Sequence, residues 1–440
     1  MSDREIAPES GYLGLLRGNP SFRHLFTGQV ISQTGDWFNS VALFTLLLSL
    51  TGSGEAVGYI LILKLLPTFV VGPLAGVAAD RYDRKKIMIA TDVLRGFLVL
   101  GFLLVRRPDQ VWIVYALTAF EVAIAAFFEP ARSAVIPSIV SRRELIAANA
   151  LSGASWSITL AVGAALGGVV TGAFGRSTAF VIDALSFFVS AAFIMLARFP
   201  DRTGIARKPS KLSLANALGI TDMIEGARYL KANLRVLAVL LVKSGWGLGG
   251  GVLLLLTIFG KQIFPIGLDG STSIGLLYAA RGFGAMIGPM IARRFTGTSP
   301  RTMLNSISAS FFISALFYLL FAEAPRFWVA LLFVTGAHTG GSINWVYSST
   351  LLQMSVPDRF LGRVFAIEMA MVTLTMSVST YLTGWGLDYA GLSPRSMAAI
   401  LGLSFLVPGF AYLIIRGRMD RDWPIEPDLS SPAVQAEPGD

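Results

Sequence analysis

Apolar runs, each ended by glycine, proline or charge, follow one another along nearly the whole chain. They predict helices at 24–50, 56–79, 87–105, 111–135, 149–173 and 177–197, and again at 235–258, 273–292, 302–322, 327–353, 364–387 and 396–416. A bilayer core takes about 20 apolar residues per helix, so each run has the length of a membrane span. The expected fold is an all-α membrane protein with twelve transmembrane helices in two pseudo-symmetric six-helix bundles. Polar stretches set its boundaries: a segment 1–21, a first bundle 22–197, a linker 198–234, a second bundle 235–416 and a tail 417–440. The opening 21 residues are polar and the run after them carries Gln29, Ser32, Gln33 and Asp36, which is not the pattern of a cleaved signal peptide.

Within the linker, Leu218, Ile220, Met223, Ile224, Ala227, Leu230 and Leu234 recur at helical spacing among charged residues. Two readings fit such a helix: it lies on the inner leaflet, or it packs beneath the bundle. The proline-bearing tail reads as disordered. An internal repeat appears at an offset of 216, where Gly72-Pro73 recurs as Gly288-Pro289 and Arg143 and Leu145 recur as Arg359 and Leu361. It predicts two parallel halves.

Composition narrows the function classes. Of 440 residues 54% are hydrophobic and 14% charged, whereas a soluble domain carries roughly a quarter charged residues. Cysteine is absent, which excludes disulfides, thiolate metal sites and a cysteine nucleophile, and the two histidines, His24 and His338, lie far apart in sequence. No phosphate-binding loop of the G-x-x-x-x-G-K-[ST] type is present, so ATP hydrolysis by that route is excluded. No cofactor and no metal are expected.

The net charge of +9 is explained by loop asymmetry rather than by a nucleic-acid partner. Arg81, Arg84, Lys85, Lys86, Arg142, Arg143, Arg293, Arg294, Arg301, Arg359 and Arg363 fall in one set of alternate loops, against Arg106, Arg107, Arg176, Lys261, Arg326 and Arg395 in the other. The first set belongs on the cytoplasmic side, which puts both termini there and the protein in the plasma membrane, with lipids as its surroundings.

The most specific stretch runs Gly76-Val-Ala-Ala-Asp80-Arg81-Tyr-Asp83-Arg84-Lys85-Lys86. Asp80 at a helix end can pair with Arg84, the basic cluster faces the anionic leaflet, and Asp83 stands at a turn where aspartate tolerates a left-handed backbone. The stretch resembles the cytoplasmic loop signature of the major facilitator superfamily. Ser32 to Trp37, Leu66-Pro67, Phe128 to Ala134 with Pro137, Ala148-Asn149-Ala150, Glu225-Gly226 and Gly362-Arg363 look like its branch of siderophore and macrolide exporters. The resemblance covers roughly 22–416. It implies a cytoplasmic gate formed by Gly76, Asp80, Arg81, Arg84, Lys85, Glu129 and Arg132, and a central cavity lined in part by the first and fourth spans.

Ionisable residues inside spans are costly and therefore candidates for function. Asp92 and Arg95, like Glu129 and Arg132, are three apart and can neutralise each other on one helix face. Asp36 and Glu121 have no opposite charge within a turn of their own spans, so they are the candidates for proton coupling, the alternative being an ion pair with Lys64 or Arg95 of a neighbouring helix. Trp37, Lys64, Arg95, Asp183, Lys243, Trp246, Arg281, Trp345 and Glu368 are candidates for a cavity binding a small-molecule substrate. The expected function is secondary active transport, an exporter of an amphipathic small molecule exchanging it for protons. An importer or lysolipid flippase would share the fold, while an enzyme or a non-transporting sensor fits the sequence less well.

Overall fold

The computed structural model describes residues 12–141, 144–199, 220–296 and 299–419. The tail, the basic first part of the linker, and Arg142 and Arg143 lie outside them. Nine helical stretches among the described residues are long and apolar enough to cross a membrane. Each expected span falls on helix, but several spans are interrupted in ways the apolar pattern does not show.

A short helix, α1 (Tyr12–Gly18), precedes α2 (Pro20–Thr51). Asn19 caps α2 by accepting from the Phe22 N–H at 2.9 Å, and Pro20 stands where a missing N–H costs nothing. Gly52 ends the helix at φ 66°, a left-handed turn open to glycine. The expected span 56–79 is two helices, α3 (Gly54–Leu63) and α4 (Leu66–Arg81). The break at Lys64–Leu65 follows from Pro67, which supplies no N–H to continue the ladder.

Asp83 departs from the left-handed turn expected of it. Its φ is −63°, and its carboxylate caps α5 (Arg84–Gly101) by accepting from the Lys85 and Lys86 N–H groups at 2.8 and 3.3 Å. An N-cap rather than a tight-turn glycine is what this position needs. The first half is completed by α6 (Val111–Ile139), α7 (Leu145–Ile158), α8 (Ala164–Phe174) and α9 (Arg176–Leu196), with a π turn at Thr159–Gly163 joining α7 to α8. Here α2 packs on α9, α5 on α6 and α9, and α4 on α6.

The linker helix α10 (Ile220–Ala232) packs under the second half against α16 (Asp358–Asp388). Tyr229 stacks on Phe360 with centroids 4.5 Å apart, and Glu225 pairs with Arg363 at 2.7 Å. These contacts fix one face of the helix, while Ile224 on it stays exposed. The expected span 235–258 is divided into α11 (Leu234–Gly247) and α12 (Val252–Ile258). The glycines between them allow close approach: a Cβ on Gly249 would sit 2.0 Å from the Phe405 ring. The remaining helices are α13 (Ser271–Thr296), α14 (Pro300–Ala322), α15 (Phe327–Ser355), α17 (Pro394–Ser404) and α18 (Leu406–Met419). In this half α15 packs on α13 and α14, α14 on α17, and α11 on α16.

The halves meet where α8 lies on α13 and α3 on α16. Gly168 and Gly275 bring the first pair together so closely that a Cβ on Gly275 would lie 2.3 Å from the Ala164 carbonyl. At the same end Asp388, the last residue of α16, adds a cap from the opposite half to α3, whose own N-cap is Ser53, accepting from Ser53 Oγ at 2.6 Å, Glu55 N at 2.8 Å and Gly54 N at 3.2 Å. At the α8–α13 contact Arg176, the first residue of α9, pairs with Asp269, just before α13. This is the latched end. The other, basic end holds the α4–α5 turn, where Arg84 donates to the Ala79 and Ala134 carbonyls and Lys85 to those of Met195 and Ala197.

Candidate functional site

Mid-helix positions of α2, α5 and α6 bring three of the charged candidates together. Arg95 donates to Asp36 Oδ1 at 2.6 Å and to Glu121 Oε1 at 3.0 Å, with its guanidinium over the Phe187 ring at 4.0 Å. The Asp36 and Glu121 carboxylates thus find their partner on a neighbouring helix, the alternative weighed for them from the sequence. It also corrects the pairing of Arg95 with Asp92: both oxygens of the buried Asp92 carboxyl lack a hydrogen-bond partner among the described residues. Three-residue spacing puts two side chains on one face, but Arg95 is long enough to reach two better-placed acids on other helices.

Asp183 of α9 adds a further buried carboxyl. It packs against α2 at Gly35, where a Cβ would lie 2.5 Å from Asp183 Oδ1, and its Oδ2 has no partner among the described residues. Lys64, at the break between α3 and α4, donates to Ser40 Oγ at 2.7 Å. Four carboxyls therefore gather near one guanidinium and one ammonium. Of these acids Asp36 reaches furthest toward open space, its side chain 36% exposed against 5% for Glu121.

The second half carries a different arrangement. Lys243 of α11 donates to Glu368 Oε2 of α16 at 2.7 Å and to Ser349 Oγ of α15 at 2.8 Å. Both charged side chains are sealed, and Lys243 lies over the Trp345 ring at 4.7 Å. Three sequence candidates, Lys243, Glu368 and Trp345, are one cluster. Trp246 is a packing residue: its ring meets Phe405 at 4.9 Å and His338 at 5.6 Å, and Gly341 abuts it. Arg281 of α13 stands apart from these clusters. Trp37 of α2 reaches across to Tyr278 of α13 with centroids 5.8 Å apart, so the two halves touch at the level of the charged centre.

Toward the basic end, Arg132 pairs with Glu129 as their spacing predicts, Nε donating to Oε2 at 3.0 Å, and also reaches Gln29 Oε1 and Ser152 Oγ at 3.1 and 3.2 Å. Glu129 borders a groove of about 540 Å³ with Gly72, Ala125, Ala126, Pro130 and Ser133. Arg81 is exposed; Gly76 and Asp80 lie on α4, and the surroundings of both are outside what is described. The Asp388 cap and the Arg176–Asp269 pair were not among the sequence candidates. Only the closing of opposite turns on each other reveals them.

A polytopic helical protein with charged groups buried at its centre and two halves meeting along a seam has the build of a secondary transporter. The chain belongs to the transmembrane secretion effector family of major facilitator transporters, whose sequence profile matches residues 14–419. It is 25% identical over 433 residues to the MFS-type transporter YfiS of Bacillus subtilis (strain 168), covering 91% of this chain and 93% of that one. It is 25% identical over 382 residues to macrolide efflux protein A of Streptococcus pyogenes, with 84% and 90% covered. It is 27% identical over 370 residues to BacE of Bacillus subtilis (strain 168), named as a putative exporter of bacilysin, with 82% and 87% covered. Among solved structures, a mutant of the nucleoside transporter NupG superposes with a TM-score of 0.70 at 12% identity, covering 90% of this chain and 99% of that one. A bacterial homologue of the human lysosomal transporter Spinster, inward-facing and occupied, gives 0.69 at 13% identity, covering 92% and 99%. The protein is a multi-pass membrane transporter of the major facilitator fold.

Proposed function

We propose that this transporter is an exporter that moves an amphipathic small molecule out of the cell in exchange for protons, in the plasma membrane and with both termini cytoplasmic. The efflux names of its relatives support the direction, and the loop charge asymmetry supports the orientation. In this reading the described state is open toward the cytoplasm, at the basic end, and closed at the latched end. Gly76, Asp80, Arg81, Arg84, Lys85, Glu129 and Arg132 form the gate that closes when the halves rock the other way.

The observation that carries proton exchange is the excess of acid around Arg95. Asp36, Asp92, Glu121 and Asp183 face only Arg95 and Lys64 as bases among the described residues. Surplus negative charge in a site with little water is expensive, and taking up protons removes it. Asp36, the most exposed of the four, is the exchanging group, with Glu121 sharing its guanidinium. Substrate and proton then compete for one centre, so that each leaves on opposite sides of the membrane.

Asp36→Asn fixes the uncharged form. In inside-out vesicles the variant is expected to retain energy-independent exchange of a transported drug while losing accumulation driven by an imposed pH gradient. Wild-type accumulation by both Asp36→Asn and Glu121→Gln would defeat proton exchange at this centre.

A further inference from the structure

Arg95, Arg132 and Lys243 each meet a carboxylate inside the bundle. Arg281, midway along α13, meets none: it has no ion pair or hydrogen bond among the described residues, and its buried Nε is unsatisfied. The phenols around it are committed elsewhere. Tyr278 donates to the Leu253 carbonyl at 2.8 Å, and the Tyr318 hydroxyl is bonded to His338 Nε2 at 2.7 Å. A guanidinium stays charged under any physiological condition, so inside a membrane it needs a counter-ion or water.

Its location says where that counter-ion comes from. Gly282, the next residue, abuts Ala161 and Leu160 of the opposite half, and Tyr278, one turn earlier, touches Trp37 of α2. Arg281 therefore sits on the seam between the halves, where a transported molecule must pass. Beside it stands the half-buried Trp37 ring, its far side tilted at 52° against the buried Tyr278.

We propose that Arg281 is the docking point for a carboxylate on the transported molecule, whose apolar body lies against the half-buried Trp37. The inference rests on the transport reading above and adds the chemical class of its substrate, an amphipathic organic acid or zwitterion. The fork of N–H donors suits a carboxylate in two parallel bonds, which an ammonium at this position would not match. Asp36, across the seam and acidic, then disfavours a substrate with a second negative charge at its other end.

The test uses the purified full-length protein and three probes: 2-naphthoate, its methyl ester and inorganic phosphate. Thermal stabilisation is read as a function of probe concentration. The wild type is expected to be stabilised by 2-naphthoate and not by the ester or by phosphate. Arg281→Gln is expected to raise the half-saturating concentration roughly tenfold or more, the loss of a charge-assisted contact, with Arg281→Lys in between. Without probe, Arg281→Gln is expected to melt no lower than the wild type, since no partner is stranded. A wild type indifferent to 2-naphthoate, an equal response to the ester or to phosphate, an undiminished response in Arg281→Gln, or a probe-free loss of several degrees each overturns the assignment. Asp36→Asn keeps the carboxylate response in this scheme. Failed gradient-driven export with intact binding therefore bears on proton exchange alone, and intact export with binding independent of Arg281 bears on this site alone.

Discussion

The charged centres of the two halves differ in how their charges balance. In the first half four carboxyls surround Arg95 and Lys64, and oxygens of Asp92 and Asp183 have no partner among the described residues. In the second, Lys243 and Glu368 form a sealed one-to-one pair, with Ser349 giving the ammonium a further bond; Glu368 Oε1 also lacks a partner among the described residues, so the difference lies in the balance of charge and not in unpartnered oxygens. A matched, sealed pair resists any change of protonation, because removing either charge strands the other. An unmatched group of acids accepts protons with less penalty. The contrast separates a structural ion pair from a centre built to change charge, although both look alike in sequence as isolated charges inside apolar runs.

Breaking the sealed pair should have the largest effect on stability. Glu368→Ala leaves the Lys243 ammonium buried without its carboxylate, for which a cost of about 3–5 kcal/mol is expected. Replacing both together, as Lys243→Met with Glu368→Leu, should recover most of that loss. Thermal unfolding of the two variants in the same detergent checks this, and equal destabilisation by the single and double variants would mean that Glu368 acts through something other than Lys243.

A smaller effect is expected at the latch that holds the halves shut. Asp388 accepts bonds from Ser53, Gly54 and Glu55 at the start of a helix of the opposite half, adding to that helix's own N-cap, Ser53. Asp388→Ala removes these bonds and leaves Ser53 in place, which should cost the closed arrangement about 1 kcal/mol, the usual scale of a side-chain acceptor at a helix start and roughly a fivefold change in population. The chain has no native cysteine, so a single Cys at Thr272, on the seam of that end, reports the opening. It should react faster with an impermeant maleimide when Asp388→Ala is added. Unchanged labelling would show that the glycine contacts between α8 and α13 hold this end without the cap.

The apolar runs revealed the helices because lipid demands about 20 apolar residues whatever the fold. They concealed the break at Lys64–Leu65 and the glycine turn after Gly247, since both are short polar or small-residue interruptions inside an apolar stretch. Asp36 and Glu121 stood out in sequence by lacking a partner on their own helices. Arg95 was one of two bases weighed for them, but the choice between it and Lys64, and that it serves both acids, was not legible, because the contact joins residues separated by 59 and 26 positions and depends on how three helices pack. Asp92, three residues from Arg95, was for the same reason a misleading neighbour. The Lys243–Glu368 pair spans 125 positions, and the Ser53–Asp388 bond spans 335. Charge pairs that close a fold are invisible to local spacing.

The smallest stability effect is expected at Asp183, and it is the sharpest probe of the contrast. Its carboxyl is fully buried, yet Oδ2 has no partner among the described residues and Oδ1 has only the weak contact with Ser186 at 3.4 Å. If the first half carries surplus acid that binds protons, Asp183→Asn replaces a protonated carboxyl by an amide of the same shape. The amide also keeps an oxygen and an N–H in place, so little packing is lost against Gly35, and the melting temperature should stay close to that of the wild type, within about 0.5 kcal/mol of stability. Glu368→Gln is the matched control, identical in chemistry but placed in a sealed pair, and it should cost several times more. The decisive measurement is therefore the difference between two isosteric changes, one in each half, made in the same preparation. A loss at Asp183→Asn as large as that at Glu368→Gln would mean that Asp183 is ionised and bound to a cation. The first half would then be as closely balanced as the second, and surplus acid would no longer be an argument for proton exchange there.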